Sequence, residues 1–306
     1  MGLFTDELRR VLIQGITGGA GRNFAENMRL SGTNLVAGVR PGRGGDTVEG
    51  VPVFNTVREA VVETGATASM IAVPPNSVAL AAQEAADGGI ELAVIYSEGV
   101  PIHDSLRLRA LWRSGNSTLI GPNSAGILSP GVANLSDMRS VPMRRGSVGV
   151  VSKSGTLTYE IVADLDRERL GVSTVVCLGG DPVLGTTADE IVSLFAADMQ
   201  TEVVVMVGEP GGQAEVRAAE RWRSLQRQVP LVALIVGQAA PQGRRLGHAG
   251  AIAGSLGESA REKMAALAEL GVQVVDDLSS LPRAVASLLA SGSAASKRDV
   301  DRGSYD

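Results

Sequence analysis

The chain has 306 residues, 44% of them apolar and 20% charged, the balance of a globular protein with room for two domains of ordinary size. A formal charge of −5 argues against a general nucleic-acid-binding role, which shows as a basic excess, and 3% aromatic residues argue against stacking platforms for bases or sugars. One cysteine rules out an internal disulfide framework, and no run approaches the roughly 20 apolar residues that cross a bilayer, so the sequence reads as cytoplasmic with no membrane association.

In the first half, short apolar runs predict strands at 11–14, 35–39, 69–73, 92–96 and 118–120. In the second half they recur at 148–152, 174–178, 203–207, 231–236 and 272–275. Most are continuous rather than alternating, the pattern of a parallel sheet covered on both faces. Helical patterns at 22–30, 78–87, 106–112, 157–166, 215–225 and 260–270 lie between them. This alternation implies right-handed βαβ crossovers and two doubly wound α/β domains. Residues 127–146, rich in Gly, Pro, Ser and Asn, read as a linker between domains at 1–126 and 147–290, and residues 291–306 as a poorly ordered tail.

The first strand runs into Gln14-Gly15-Ile16-Thr17-Gly18-Gly19-Ala20-Gly21. A glycine-rich turn between strand and helix lets backbone N–H groups approach a phosphate, although glycines also serve a plain tight turn. The spacing is Gly-x-x-Gly-x-x-Gly, not the dinucleotide fingerprint. After the second strand stand Arg40 and Arg43 with no carboxylate to hold a ribose diol. Two arginines there suit an extra phosphate, as on CoA or NADP, or else a solvated surface.

Of the two histidines, His103 precedes Asp104, which can cap the helix that follows, and reads as a surface residue. Ser152-Lys153-Ser154-Gly155-Thr156 joins a strand to a helix start whose free N–H groups and positive dipole end suit an anion, though Ser154 can equally be a simple cap. Cys177, within an apolar run, reads as a buried small hydrophobe. His248 stands in Gly247-His248-Ala249-Gly250-Ala251, beyond the carboxyl end of the strand at 231–236, where open α/β sheets place ligands. Flanking glycines leave its imidazole accessible.

These motifs together resemble the alpha subunits of succinyl-CoA synthetase. Gly15-x-Thr17-Gly18, Pro41-Gly42-Arg43-Gly44-Gly45, Val51-Pro52-Val53-Phe54-Asn55-Thr56-Val57, Glu98-Gly99, Gly121-Pro122-Asn123 and Gly247-His248-Ala249-Gly250-Ala251 follow the family in order and spacing. The resemblance implies a Rossmann-like CoA-binding domain followed by a flavodoxin-like, doubly wound parallel-sheet ligase domain. It implies CoA contacts from Thr17, Gly18, Gly19, Ala20 and Arg43 and from Tyr96, Ser97 and Glu98, with Arg40 joining the basic group. His248 becomes a phosphohistidine and Glu209 the carboxylate that holds its second nitrogen. Ser154, Gly155 and Thr156 would cradle the phosphoryl oxygens, and Tyr159, Asn123 and Ser124 would lie near the acyl substrate.

No nucleotide-binding lysine follows a glycine-rich loop, and no His or Cys spacing suits a metal. The resemblance therefore implies that ATP or GTP, with Mg, binds a beta subunit carrying an ATP-grasp domain. The resemblance also implies a small carboxylic acid as substrate. Ser124-Ala125 and the segment 131–145 depart from the family pattern, which leaves succinate, malate or another acid open. A more distant reading is an NADP-dependent oxidoreductase or a non-catalytic CoA-binding regulator. The missing hydride-site residues weigh against the first, and the intact His248 and Glu209 against the second.

Overall fold

The structure, a computed structural model, describes residues 9–115, 117–139, 143–239 and 258–302, with side chains as far as 291. In the first half the chain runs through β1 (Val11–Gln14), α1 (Gly19–Leu30), β2 (Leu35–Val39), β3 (Thr47–Val48), β4 (Val51–Phe54) and α2 (Val57–Thr64). It continues through β5 (Ala68–Ile71), α3 (Val78–Asp87), β6 (Leu92–Ile95), α4 (Ile102–Ser114) and β7 (Thr118–Ile120). These strands form one sheet in the order β3-β4-β2-β1-β5-β6-β7, parallel except where β3 meets β4. Six of them reproduce the Rossmann order, with β1 at the point where the chain changes direction across the sheet.

The second sheet takes β8 (Gly126–Ser129), β9 (Ala133–Ser136), β10 (Arg145–Ser152), then α5 (Gly155–Arg167), β11 (Val172–Cys177), α6 (Ala188–Ala197) and β12 (Val203–Gly208). After these come α7 (Ala214–Arg223), β13 (Leu231–Ile235), α8 (Ala260–Glu269), β14 (Gln273–Val275) and α9 (Leu281–Arg302). The strand order is β14-β13-β12-β10-β11-β8-β9. Its five parallel strands have the flavodoxin-like order, and β8 and β9 extend the sheet antiparallel beyond β11. The central strands β11 to β13 and β10 from Val148 onward are buried and rich in Val, as a sheet sandwiched between helices requires.

Two segments differ from the sequence-based expectation. Much of the stretch expected as a linker is instead the β8–β9 hairpin, buried along its length. Its polar residues are satisfied internally. Asn134 Oδ1 accepts from the Ser136 amide and hydroxyl, and Ser129 Oγ meets Thr174 Oγ1 at 2.6 Å. At the other end, α9 buries Leu281, Ala284 and Val285 against the second sheet, and its backbone stays helical to Arg302, through much of what reads as a poorly ordered tail.

The hairpin also ties the lobes together. Asn27 of α1, 4% exposed, donates from Nδ2 to Ser136 O at 2.7 Å and to Met138 O at 3.4 Å. The Asn134 amide returns a bond to Thr33 Oγ1 at 2.8 Å. Asn27→Ala would leave two buried carbonyls without that donor. The expected loss is about 1–3 kcal/mol of unfolding free energy, read as a lower urea midpoint, and an unchanged midpoint would contradict the bridging role.

Candidate functional site

Apart from His248, three regions hold the residues that the sequence singles out as site candidates. The first lies at the carboxyl ends of β1 and β2. Gly15 has φ of +86°, and a Cβ there would fall 2.4 Å from Ala72 O after β5, so the turn admits only glycine. Gln14, 2% exposed, anchors the strand end by donating to Ala81 O at 2.8 Å and accepting from Ser69 Oγ at 2.8 Å. Gly18 caps α1 without a side chain, and Thr17, Gly19 and Ala20 complete the turn at solvent-accessible positions. A cavity of about 430 Å³ opens here, lined by Gln14, Gly15, Arg40, Pro41, Val73 and Ser77 among others.

Arg40 is exposed at the end of β2. Arg43 follows in a loop shaped by Asn55, whose Oδ1 accepts from the amides of Gly42 and Gly44 at 2.9 and 3.0 Å. Arg43 Nε pairs with Asp46 Oδ2 at 2.5 Å, a partner that sequence reasoning missed. Tyr96, Ser97 and Glu98 follow β6. Tyr96 packs edge-on against Phe24 of α1 with centroids 4.9 Å apart, and the Ser97 hydroxyl donates to Val73 O, closing the crevice floor.

The second region is the seam between the lobes. Asn123 sits at φ +57°, and its amide donates to Ser97 O at 2.9 Å. Ser124 is 1% exposed. Its hydroxyl donates to Cys177 O at 2.5 Å and accepts from the Gly126 amide at 2.9 Å, so the structure engages it in joining strands rather than facing a cavity. Asp181, 8% exposed, receives bonds from the Asn123 side chain and from the Val100 and Gly99 amides of the other lobe. Burial pushes its carboxyl above the ordinary range, with nearby Glu98 adding to the shift, while those bonds oppose it.

Tyr159 of α5 donates to Asp137 Oδ1 at 2.6 Å. Burial raises the Asp137 carboxyl, opposed by that phenol, and Asp137 also acts electrostatically on Tyr96 and Cys177. Tyr159 is in turn pushed far up by burial and then by Asp137. Asp137, Tyr96, Tyr159 and buried Cys177 thus form one neighbourhood. Burial takes that thiol up to about 12, so it stays protonated at neutral pH.

The third region lies at the carboxyl ends of β10, β11 and β12. Ser154 caps α5 by accepting from the Leu157 amide at 3.3 Å, leaving Gly155 and Thr156 in the first turn, where amides have no intrahelical acceptor. Glu209, 8% exposed, begins the turn after β12. It lines a cavity of about 560 Å³ together with Lys153, Asp181, Gly211, Arg109 and Arg217, among others. His248 lies outside the described residues. Glu215 and Lys263, neither anticipated as site residues, are buried beneath Glu209, and only their charge at interior helix positions could have pointed to them. Among the described residues, no group of three or more His, Cys, Asp or Glu side chains is placed to hold a metal, and no helix is long and apolar enough to cross a membrane.

Residues 6–99 match the family described as CoA binding domain, and residues 151–273 the family described as CoA-ligase. The chain is 46% identical over 291 residues to the succinate–CoA ligase [ADP-forming] subunit alpha 2 of Archaeoglobus fulgidus, covering 95% of this chain and 99% of that one. It is 43% identical over 294 residues to the malate–CoA ligase subunit alpha of Methylorubrum extorquens, again covering 95% and 99%. Among solved structures, the ATP citrate lyase of Methanosaeta concilii superposes with a TM-score of 0.85 at 22% identity, covering 93% of this chain and 50% of that longer one.

The Asp137 shift gives a stability prediction. A carboxyl whose folded pKa lies above its unfolded value contributes stability that is complete below the unfolded value and is lost as pH rises through the folded one. Asp137→Asn removes that dependence and keeps an acceptor for Tyr159. Relative to wild type, the variant is expected to gain stability as pH rises through and above about 3.9, the ordinary carboxylate value. Urea midpoints across that range test it, and two curves running parallel would be the contrary result.

Proposed function

The chain belongs to the family of succinate–CoA ligase alpha subunits, acid–thiol ligases with a CoA-binding and a CoA-ligase domain, and on that premise we propose how its residues divide the work. The observation that carries the reading is the placement of two crevices, each at the switch point of its sheet, on either side of one seam.

CoA occupies the first crevice. Its phosphates approach the Thr17–Ala20 turn, where backbone amides and the α1 dipole favour negative charge. Arg40 and Arg43 take the remaining phosphate, and Tyr96, Ser97 and Glu98 guide the chain toward the seam. The second crevice handles phosphoryl transfer. The His248 imidazole attacks the terminal phosphorus of a nucleoside triphosphate, displacing the diphosphate, while Glu209 accepts the proton on the other ring nitrogen. Gly155 and Thr156 amides at the start of α5 hold the phosphoryl oxygens, with Ser154 fixing that turn.

The phosphoryl group then passes to an oxygen of the carboxylic acid, giving an acyl phosphate and regenerating the imidazole. The CoA thiol loses its proton, attacks the acyl carbon and expels inorganic phosphate. Tyr159, with Asp137 behind it, and Asn123 face the acyl group at the seam. The nucleotide, ATP or GTP with Mg, is bound by a beta subunit with an ATP-grasp domain, in the cytoplasm. Succinate and malate both remain candidate acids, since relatives of both kinds stand at similar identity.

Two measurements test the scheme. With the partner subunit and γ-labelled ATP or GTP, wild type is expected to incorporate phosphate and His248→Asn none; label retained in the variant would refute the nucleophile. Glu209→Gln is expected to slow labelling by about 10²-fold or more. The double variant Arg40→Gln/Arg43→Gln is expected to weaken CoA much more than dephospho-CoA, and equal losses for the two would remove the phosphate role of these arginines. Acid-dependent hydroxamate formation with succinate and malate identifies the substrate.

A further inference from the structure

The buried charges beneath Glu209 have no place in the scheme so far. Lys263 of α8 is 0% exposed, yet its ammonium has three protons and three acceptors. Nζ donates to Glu209 O at 2.6 Å, to Gly211 O at 2.7 Å and to Glu215 Oε2 at 2.6 Å. Glu215, 1% exposed, places its other oxygen 2.9 Å from Nζ of Lys153, the residue before the α5 cap. Glu215 lies tight against the end of β12, since a Cβ on Gly208 would fall 2.5 Å from its Cγ. The Gly211 amide donates to Glu258 O at 2.9 Å, at the point where the chain returns from the segment containing His248.

Four parts of the crevice therefore meet at one ammonium and its counter-ion: the end of β10, the turn after β12, the start of α7 and the start of α8. Stability alone does not account for this. Burying an ion pair seldom gains over packed apolar side chains of the same volume, because the desolvation cost offsets the attraction. An apolar residue at 263 would, however, leave the Glu209 and Gly211 carbonyls without their donor. The turn is fixed in position through those two atoms.

We propose that Lys263 is a positioning residue for phosphoryl transfer, holding through the Glu209 and Gly211 carbonyls the turn that aims Glu209, with Glu215 as its counter-ion and Lys153 as the link to α5. The inference rests on the reading of His248 as the phosphorylated residue. Burial pulls the Lys263 ammonium below the ordinary lysine value and Glu215 opposes this. Burial likewise opposes the Glu215 charge, but Lys153 and Lys263 outweigh it and hold that carboxyl low. The charged groups facing Lys263 are thus Glu215 from α7, Lys153 from the end of β10 and Glu209 from the turn.

The test uses the enzyme assembled with its partner subunit and follows single-turnover transfer of label from γ-labelled nucleotide. Lys263→Met keeps the length of the side chain without its charge. It is expected to slow labelling by roughly 10²-fold, the effect of misplacing a catalytic group by about 1 Å, with the KM for CoA within about twofold of wild type. Labelling at the wild-type rate, or a KM for CoA that changes in step with the rate, overturns the proposal. Should Lys263→Met not fold, Glu215→Gln decides instead. Without the anion that favours its proton, Lys263 deprotonates more readily, so the alkaline limb of the labelling rate moves to lower pH. A merely structural role lowers Tm and leaves that limb in place, which would equally overturn it. His248→Asn runs alongside: label in that variant sinks the phosphohistidine reading, whereas no label there with unimpaired Lys263→Met sinks only the positioning role.

Discussion

A parallel strand always releases its chain at the same edge of the sheet, and both crevices of this protein follow from that directionality. In the first sheet, β1, β2 and β6 deliver Gly15, Arg40 and Ser97 to one edge. In the second, β10, β11 and β12 deliver Ser154, Asp181 and Glu209 to another. Helices return the chain to the opposite edge each time, so residues far apart in sequence converge without any need for long loops. The antiparallel hairpin β8–β9 uses reversal instead. It brings Asp137 back to the seam beside Tyr159, a position no parallel crossover would supply.

The lobes are joined by polar ties as much as by apolar packing. Asn27 reaches the hairpin, Asn134 reaches Thr33, and Asp181 takes amides from the turn at 99–100. The Asn27 bond to Ser136 O at 2.7 Å and the Asn134 amide bond to Thr33 Oγ1 at 2.8 Å are directional, so they set a distance and an angle where apolar contact would permit sliding. Ties of this kind fix the orientation of the two lobes, and fixed orientation spares a transfer reaction entropy it would otherwise lose.

Much of this was legible in the sequence, and the exceptions have physical causes. Continuous runs such as Val203–Gly208 announce buried parallel strands because both faces are covered, and the Gly15 turn announces itself because no side chain fits there. The strand β4 was obscured by Pro52, tolerated because its pairing with β2 begins only at Val53, while the Val53 amide makes the bond toward β3 at Asp46 O. The hairpin was obscured by Asn134, Ser129 and Ser136, which look like loop residues until their partners are seen. Ser124 had the right address for a substrate contact, yet its hydroxyl is turned to Cys177 and Gly126, and orientation leaves no mark in a sequence. Lys263 leaves only its charge at an interior helix position as a signal, for two of its three acceptors are backbone carbonyls whose identity does not depend on residue type.

The distribution of buried polar groups separates two tasks. Around β10 to β13 the interior is mainly aliphatic, its few hydroxyls at Ser173, Thr174 and Thr201 paired with one another or with Ser129, and Phe195 packs over Gly149, so burial there supplies cohesion. The costly interior groups sit elsewhere: Asn27 and Asp181 at the seam, Glu215 and Lys263 under the Glu209 turn. Asn27 and Lys263 each donate to buried backbone carbonyls that an apolar residue would leave unpaired, so their bonds select one backbone arrangement. Had these groups been present for stability, they would be expected wherever the core is thickest. Their concentration along the seam and at the strand ends assigns them to geometry, and geometry is what a reaction between two separately bound groups demands.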